Sequence, residues 1–175
     1  MKLILMMAMC AVTSASTIFD FDKQSNIRDW VIVDDIVMGG KSSGSFKINH
    51  EGHGIFAGAI SLANNGGFSS VRYRMNKKSV KEFKSIILKI KGDAKRYQFR
   101  IKSNSSDYYS YVATFTTNGQ WQEIEIPLES MIPTFRGRKL DKPNFSGESI
   151  EQIAFLIGNK KQENFRLLID KITLK

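Results

Sequence analysis

Reactive side chains are scarce in this 175-residue chain: it has one cysteine, Cys10, two histidines, His50 and His53, and three prolines. Cys10 sits in the first apolar stretch, so the rest of the chain has no disulfide, no thiolate nucleophile and no cysteine-held metal. Histidine is the commonest general base near neutral pH. The two here lie in the run His50-Glu51-Gly52-His53-Gly54, a glycine-flanked turn without the i, i+4 helical spacing of a zinc protease. An enzyme reading is left with a hydrolase using Ser42-Ser43 or Ser69-Ser70, and no catalytic residue, cofactor or metal is assigned. No apolar run is long enough to span a bilayer. Residues 3–12 are apolar, with Lys2 before them and Thr13, Ser14, Ala15 and Ser16 after. That order predicts a secretory signal over 1–16 and a single domain over 17–175, exported to a periplasm or beyond the cell.

Charge is present but not segregated. Lys and Arg number 26 against 17 Asp and Glu, a net charge of +9, and the lysines are scattered without a basic tail. Such a surface suits anionic partners such as lipid headgroups, acidic glycans or nucleic acid, although scattered lysines also serve as a solvated face. Contact with a membrane surface fits the charge; nucleic acid is not expected, since no recognition motif is present.

What the chain does have is short alternating strands. Ile86, Leu88 and Ile90 alternate with Lys89 and Lys91, and Tyr97, Phe99 and Ile101 alternate with Arg96, Arg100 and Lys102. Period two with a charged opposite face predicts half-buried strands of an antiparallel sheet. Further strands are predicted at 30–33, 44–49, 54–62, 68–74, 109–116, 121–127, 153–158 and 165–174. The stretch 153–157 is apolar on both faces, which places it centrally in its sheet. Asn118-Gly119 predicts a two-residue hairpin between Phe115 and Trp121. A change of phase in the last strand predicts a bulge near Asp170-Lys171. Helical candidates are confined to 79–83 and 128–131. About ten strands, mostly antiparallel, and almost no helix define an all-β sandwich or jelly roll.

Two motif fragments fail on inspection. Gly40-Lys41-Ser42 resembles the end of a phosphate-binding loop, but the required first glycine falls on Asp35 and no helical pattern follows. Asp34 and Asp35 in a strand point to opposite faces, so they are not a glycosidase pair. Their expected role is to accept backbone N–H bonds ahead of Gly39-Gly40.

Three segments hold more glycine and small polar residues than plain turns require. The first runs Asp34-Asp35-Ile36-Val37-Met38-Gly39-Gly40-Lys41-Ser42-Ser43-Gly44, and the second Asn64-Asn65-Gly66-Gly67-Phe68-Ser69-Ser70-Val71-Arg72. The third, Pro133-Thr134-Phe135-Arg136-Gly137-Arg138, sets two guanidinium groups around a glycine, a pattern suited to carboxylate or phosphate. The contact surface is therefore predicted to comprise Asp34, Asp35, Met38, Gly39, Gly40, Ser42, Asn65, Gly66, Gly67, Phe68, Arg72, Arg136 and Arg138.

Together with Trp30, Phe56-x-Gly58, Trp121, Ile126-Pro127 and Phe165-Arg166-Leu167 followed by Ile169-Asp170, these segments resemble the complex I intermediate-associated protein 30 family over nearly the whole chain after the signal. The resemblance implies a galactose-binding-domain-like jelly roll and a non-enzymatic assembly-factor or chaperone-like role, with a protein partner or a small or anionic ligand. The alternative is a carbohydrate-binding module, with Tyr108 and Tyr109 as stacking aromatics and Trp121 more at home in the core. The chain departs from the mitochondrial members in its apolar signal, where they carry an Arg-rich presequence. It also has Gln162-Glu163-Asn164 where a glycine often precedes the Phe-Arg-Leu strand.

Overall fold

The computed structural model describes residues 15–175. Most of the expected signal therefore lies outside the described residues, although Ser16 already pairs with Leu174. Thirteen strands follow in order: β1 (Ser16–Asp20), β2 (Trp30–Asp34), β3 (Ser43–Ile48), β4 (Gly54–Ile60), β5 (Ser69–Ser79), β6 (Ser85–Lys91), β7 (Arg96–Lys102), β8 (Ser110–Thr116), β9 (Trp121–Pro127), β10 (Ile132–Phe135), β11 (Arg138–Lys139), β12 (Ser149–Ile157) and β13 (Glu163–Leu174). They form two antiparallel sheets. One has the order β3-β4-β13-β6-β9 with β1 also on β13; the other runs β11-β10-β8-β7-β12-β5-β2.

The alternation in the sequence becomes the inner and outer faces of this sandwich. Tyr97, Phe99, Ile153 and Phe155 point inward from the seven-stranded sheet. They meet Phe56, Leu88, Ile90, Leu167 and Ile169 from the six-stranded one, and all are fully buried. Trp30 closes one end, with ring centroids 5.0 Å from Phe46 and 4.9 Å from Tyr73. The apolar β12 is central, between β7 and β5, and the predicted bulge falls between Ile169 and Lys171 in the pairing with β6.

Two local expectations are corrected. Asn118-Gly119 does not close a hairpin: β8 belongs to the seven-stranded sheet and β9 to the other, so this turn crosses the sandwich. Both strands bury one face, and a corner between sheets asks the same turn chemistry as a hairpin. Residues 79–83 are not helical; β5 runs on to Ser79 and a turn follows, whereas Leu128–Ser130 does form one turn of 3-10 helix.

Asp93, in the β6–β7 turn, ties the two sheets. Its carboxylate accepts from the Tyr97 hydroxyl at 2.7 Å, from Lys95 Nζ at 2.8 Å and from the Arg166 backbone at 2.9 Å. Burial, then the bond to Asp93, pushes the Tyr97 hydroxyl far above its ordinary value, so it stays a neutral donor. Tyr97→Phe is expected to lower unfolding free energy by about 1 kcal/mol, one hydrogen bond to a carboxylate that keeps its other donors. Urea denaturation measures this, and an unchanged midpoint would show that the bond contributes nothing.

Candidate functional site

The outer face of the seven-stranded sheet carries the site. Pairing puts Arg72 of β5 beside Ala154 of β12, and Ala154 beside Arg100 of β7. One step along, Arg74 and Lys102 flank Gln152. In the other direction Ser70, Leu156 and Gln98 lie side by side. Period two sends all of these to the side opposite the core. All of them except Arg74 form the floor of a cleft of about 580 Å³, a size typical of small-ligand sites.

Loops raise its walls. On one side stand Met38 and residues 65–68; on the other, Tyr108 and the β10–β11 turn. In that turn Arg136 and Gly137 take φ of +48° and +77°, the pattern of a two-residue hairpin turn. Tyr108 and Phe135 meet edge to face at 5.3 Å, and the Arg136 guanidinium sits 5.4 Å from the Phe135 ring centre. Tyr108 and Phe135 remain exposed, at 60% and 37% of their surface, and so offer apolar surface to a ligand.

The glycine-rich segments prove to be two halves of one structure. Asp35 opens a 3-10 turn (Asp35–Met38) and is completely buried. Its carboxylate accepts the Ser42 N–H at 2.9 Å and the Ser42 hydroxyl at 2.5 Å; from the second segment it accepts the Gly67 N–H at 2.5 Å and the Phe68 N–H at 3.2 Å. Burial raises its pKa, but these four bonds outweigh burial and hold the carboxyl below the ordinary range. The glycines make room: a Cβ on Gly40 would lie 2.3 Å from the Asp35 carboxylate, and one on Gly66 2.5 Å from it. Asn64 adds a bond from Nδ2 to the Gly39 carbonyl at 2.9 Å, and Asp34 Oδ2 accepts the Gly44 N–H at 2.9 Å.

The thirteen predicted contact residues therefore separate. Met38, Asn65, Gly66, Gly67, Phe68, Arg72 and Arg136 line the cleft. Asp34, Asp35, Gly39, Gly40 and Ser42 stand behind its wall, and Asp35 and Ser42 have no accessible surface with which to touch a partner. Arg138 is exposed on the short edge strand β11, outside the lining, so of the two guanidinium groups only that of Arg136 lines the cleft. Arg100, Lys102, Gln98, Gln152, Ala154 and Leu156 are lining residues absent from the sequence prediction, and Tyr108, named there as a stacking aromatic, lines the cleft as well. For Arg100 and Lys102 the signal was visible as the charged alternate positions of β7, which alternation alone equates with a solvated face.

The cleft is poor in reactive groups: among the described residues its lining has no histidine, carboxylate or cysteine. Gly40-Lys41-Ser42-Ser43-Gly44 has the Gly-x-Ser-x-Gly spacing of a nucleophile elbow. Here Ser42 is buried and donates to Asp35, and a strand follows instead of a helix. His53, in the β3–β4 turn, lies against the other sheet, with Nδ1 2.9 Å from Asp170 and its ring 4.7 Å from Trp121. Trp121 keeps 39% of its surface exposed, contrary to the core position expected for it. It stands on edge strand β9, where one face has no neighbouring strand. A second hollow, bounded by 80–85, 127–129 and 145–148, has walls of mixed charge, with Lys81 paired to Glu148 at 2.8 Å.

The chain thus falls in the class of jelly-roll β-sandwich domains, with a ligand-sized cleft across the outer face of one sheet. Within it the chain belongs to the complex I intermediate-associated protein 30 family, whose model matches residues 19–169. An uncharacterised protein of Schizosaccharomyces pombe is 28% identical over 168 residues, covering 83% of this chain and 77% of that protein. The fold is also that of the family 11 carbohydrate-binding module from Clostridium thermocellum in complex with a β-1,3-1,4-mixed-linked tetrasaccharide (TM-score 0.65, 22% identity, 91% of this chain and 94% of that one). A second structure, the family 11 module of a cellulosomal cellulase of C. thermocellum, gives a TM-score of 0.66 at 20% identity, covering 94% of this chain and 95% of that one. Among the described residues no helix is long and apolar enough to cross a membrane.

Proposed function

We propose that this chain is an exported, non-catalytic binding domain that holds a saccharide chain in the cleft on the outer face of its seven-stranded sheet. The observation that carries this reading is the chemistry of the cleft. Two exposed aromatic side chains, Tyr108 and Phe135, stand over a floor that offers amide, hydroxyl and guanidinium groups. Aromatic faces pack against the C–H faces of a sugar ring, while fixed donors and acceptors select its hydroxyls. The fold shared with saccharide-binding modules supports the reading, as does a lining without an acid–base pair. The apolar segment at 3–12 supports export.

Tyr108→Ala is expected to weaken binding to a retained soluble polysaccharide by roughly fivefold, about 1 kcal/mol, with thermal stability unchanged because the ring is mostly exposed. Affinity electrophoresis across a polysaccharide panel measures it. Equal retention of the wild type, Tyr108→Ala and Phe135→Ala would place the ligand elsewhere.

A second reading is capture of a protein partner in an assembly role, supported by the family's description and by Ile36, Met38 and Leu62, exposed on the neighbouring loops at 62%, 56% and 44%. Crosslinking in the native cell tests it: a recurrent protein partner joined through these loops would favour assembly over saccharide binding.

A further inference from the structure

The charge in the cleft is of one sign. Five cationic side chains, Arg72, Arg100, Lys102, Arg136 and Lys160, contribute to the lining, and no carboxylate does. Among the described residues none of the five has a salt-bridge partner, although ion pairs occur elsewhere on the surface, as at Lys89–Asp170 and Lys171–Asp20. Three of them, Arg72, Arg100 and Lys102, are partly buried in the floor.

Partial burial without a counterion is unfavourable, and the three groups register it. Burial first, then the charge of Arg72, brings the Arg100 guanidinium down to about 10. Burial and the charge of Arg74 lower Arg72; burial and the charge of Arg72 lower Lys102, and the nearby Asp107 carboxylate offsets this only in part. Their hydrogen bonds within the protein go to neutral acceptors. Arg100 donates from Nε and Nη2 to Gln98 Oε1 at 3.0 and 2.6 Å, and Lys102 Nζ donates to the Asp107 backbone carbonyl. Arg72 makes no side-chain hydrogen bond within the described residues. Half-buried cations held together by the sheet against their mutual repulsion are arranged to receive an anion.

The spacing locates it. Arg72 and Arg100 are separated by one strand, so their Cα atoms stand about 10 Å apart across the sheet. The residue between them is Ala154, whose single methyl group leaves the space over the floor open. We propose that the ligand is an acidic saccharide, whose carboxylate or sulfate group seats over Ala154 between the guanidinium groups of Arg72 and Arg100, with Lys102 as a further cation along the chain. This rests on the saccharide reading of the cleft and narrows it: Tyr108 and Phe135 hold the ring, and the floor selects its charge. A guanidinium group can set two N–H bonds on a pair of oxygens of a carboxylate or a sulfate, which a single neutral hydroxyl cannot accept in the same way.

The test is calorimetric titration of the whole chain with matched oligosaccharides: oligogalacturonate, its neutral methyl ester, a sulfated galactan fragment, neutral galactan and mixed-linked β-glucan. The expected result is that an acidic member binds at least about tenfold more tightly than its neutral counterpart, with affinity falling as salt rises. The uronate and sulfate arms separate the two anions. Arg100→Gln should abolish most of that preference, lowering affinity for the acidic member far more than for its neutral counterpart, while Arg100→Lys keeps part of it. Should Arg100→Gln fail to fold, Lys102→Met asks the same question from the other end of the floor. Equal binding of acidic and neutral glycans overturns this inference and leaves the saccharide reading standing. Retention of no glycan, or preference for a polyglutamate peptide or single-stranded DNA over every glycan, overturns both.

Discussion

Asp35→Ala is expected to lower the unfolding free energy by about 4 kcal/mol, because it takes away the acceptor shared by three backbone N–H groups and a hydroxyl at a buried junction. Four bonds converge on this carboxylate from residues 7 to 33 positions away in the chain. Alanine leaves the N–H groups of Ser42, Gly67 and Phe68 without their acceptor, and the Ser42 hydroxyl with only the Ser61 carbonyl at 3.3 Å. Asp35→Asn keeps the shape but turns an amide NH2 toward donors, so a smaller loss is expected. The same carboxylate sets a pH dependence. Its pKa is lower folded than its unfolded value of 3.8, so its stabilisation is complete well above 3.8 and declines as pH falls through the lower, folded value. Urea midpoints of wild type and Asp35→Asn from pH 7 down to about 2 should converge at the acid end. Parallel curves would mean that the carboxylate does not carry the junction. Because Gly67 and Phe68 also line the cleft, Asp35→Ala should weaken ligand binding below its melting temperature, although Asp35 touches no ligand.

Gly58→Ala is the second large effect, a loss of about 3 kcal/mol through steric conflict alone. Gly58 pairs with Gly44 across β3 and β4, and a Cβ there would lie 2.0 Å from the Ser43 carbonyl oxygen and 2.9 Å from the Gly44 Cα. Both obstacles are backbone, and β4 is pinned on its other edge by β13, where Gly58 faces Phe165. The strand pair must open or shift, and neither costs little inside a continuous sheet. Gly119→Ala is the control. That glycine has φ +84° and nothing within 4 Å of its Cβ position, so only the backbone preference is lost, about 1 kcal/mol. Equal melting temperatures for the two variants would remove close approach as the reason for glycine at 58.

These two residues also show why the sequence motifs mislead about the site. Glycine, asparagine and aspartate concentrate wherever backbone must approach closely or turn through positive φ, and a binding loop and a buried junction make the same demand. Asp35, Gly40 and Ser42 therefore read as surface when they are the brace behind it. Arg100 and Lys102 err the other way. Their alternation with Tyr97, Phe99 and Ile101 is the ordinary mark of a solvated strand face, and nothing within β7 indicates walls rising on both sides.

The all-β class, the inward set on each strand, the central place of β12 and the bulge before Lys171 were all legible in the order of residues, because each depends on alternation over a few neighbours. Which sheet a strand joins was not: Asn118-Gly119 serves a crossing between sheets as well as it would a hairpin. Nor was the meeting of Asp35 with Gly67, or of Arg72 with Arg100 across Ala154, since those contacts form between distant segments only after the chain has chosen its partners. Local periodicity tells each strand which side to bury; the cleft and its charge arise from how buried sides are stacked.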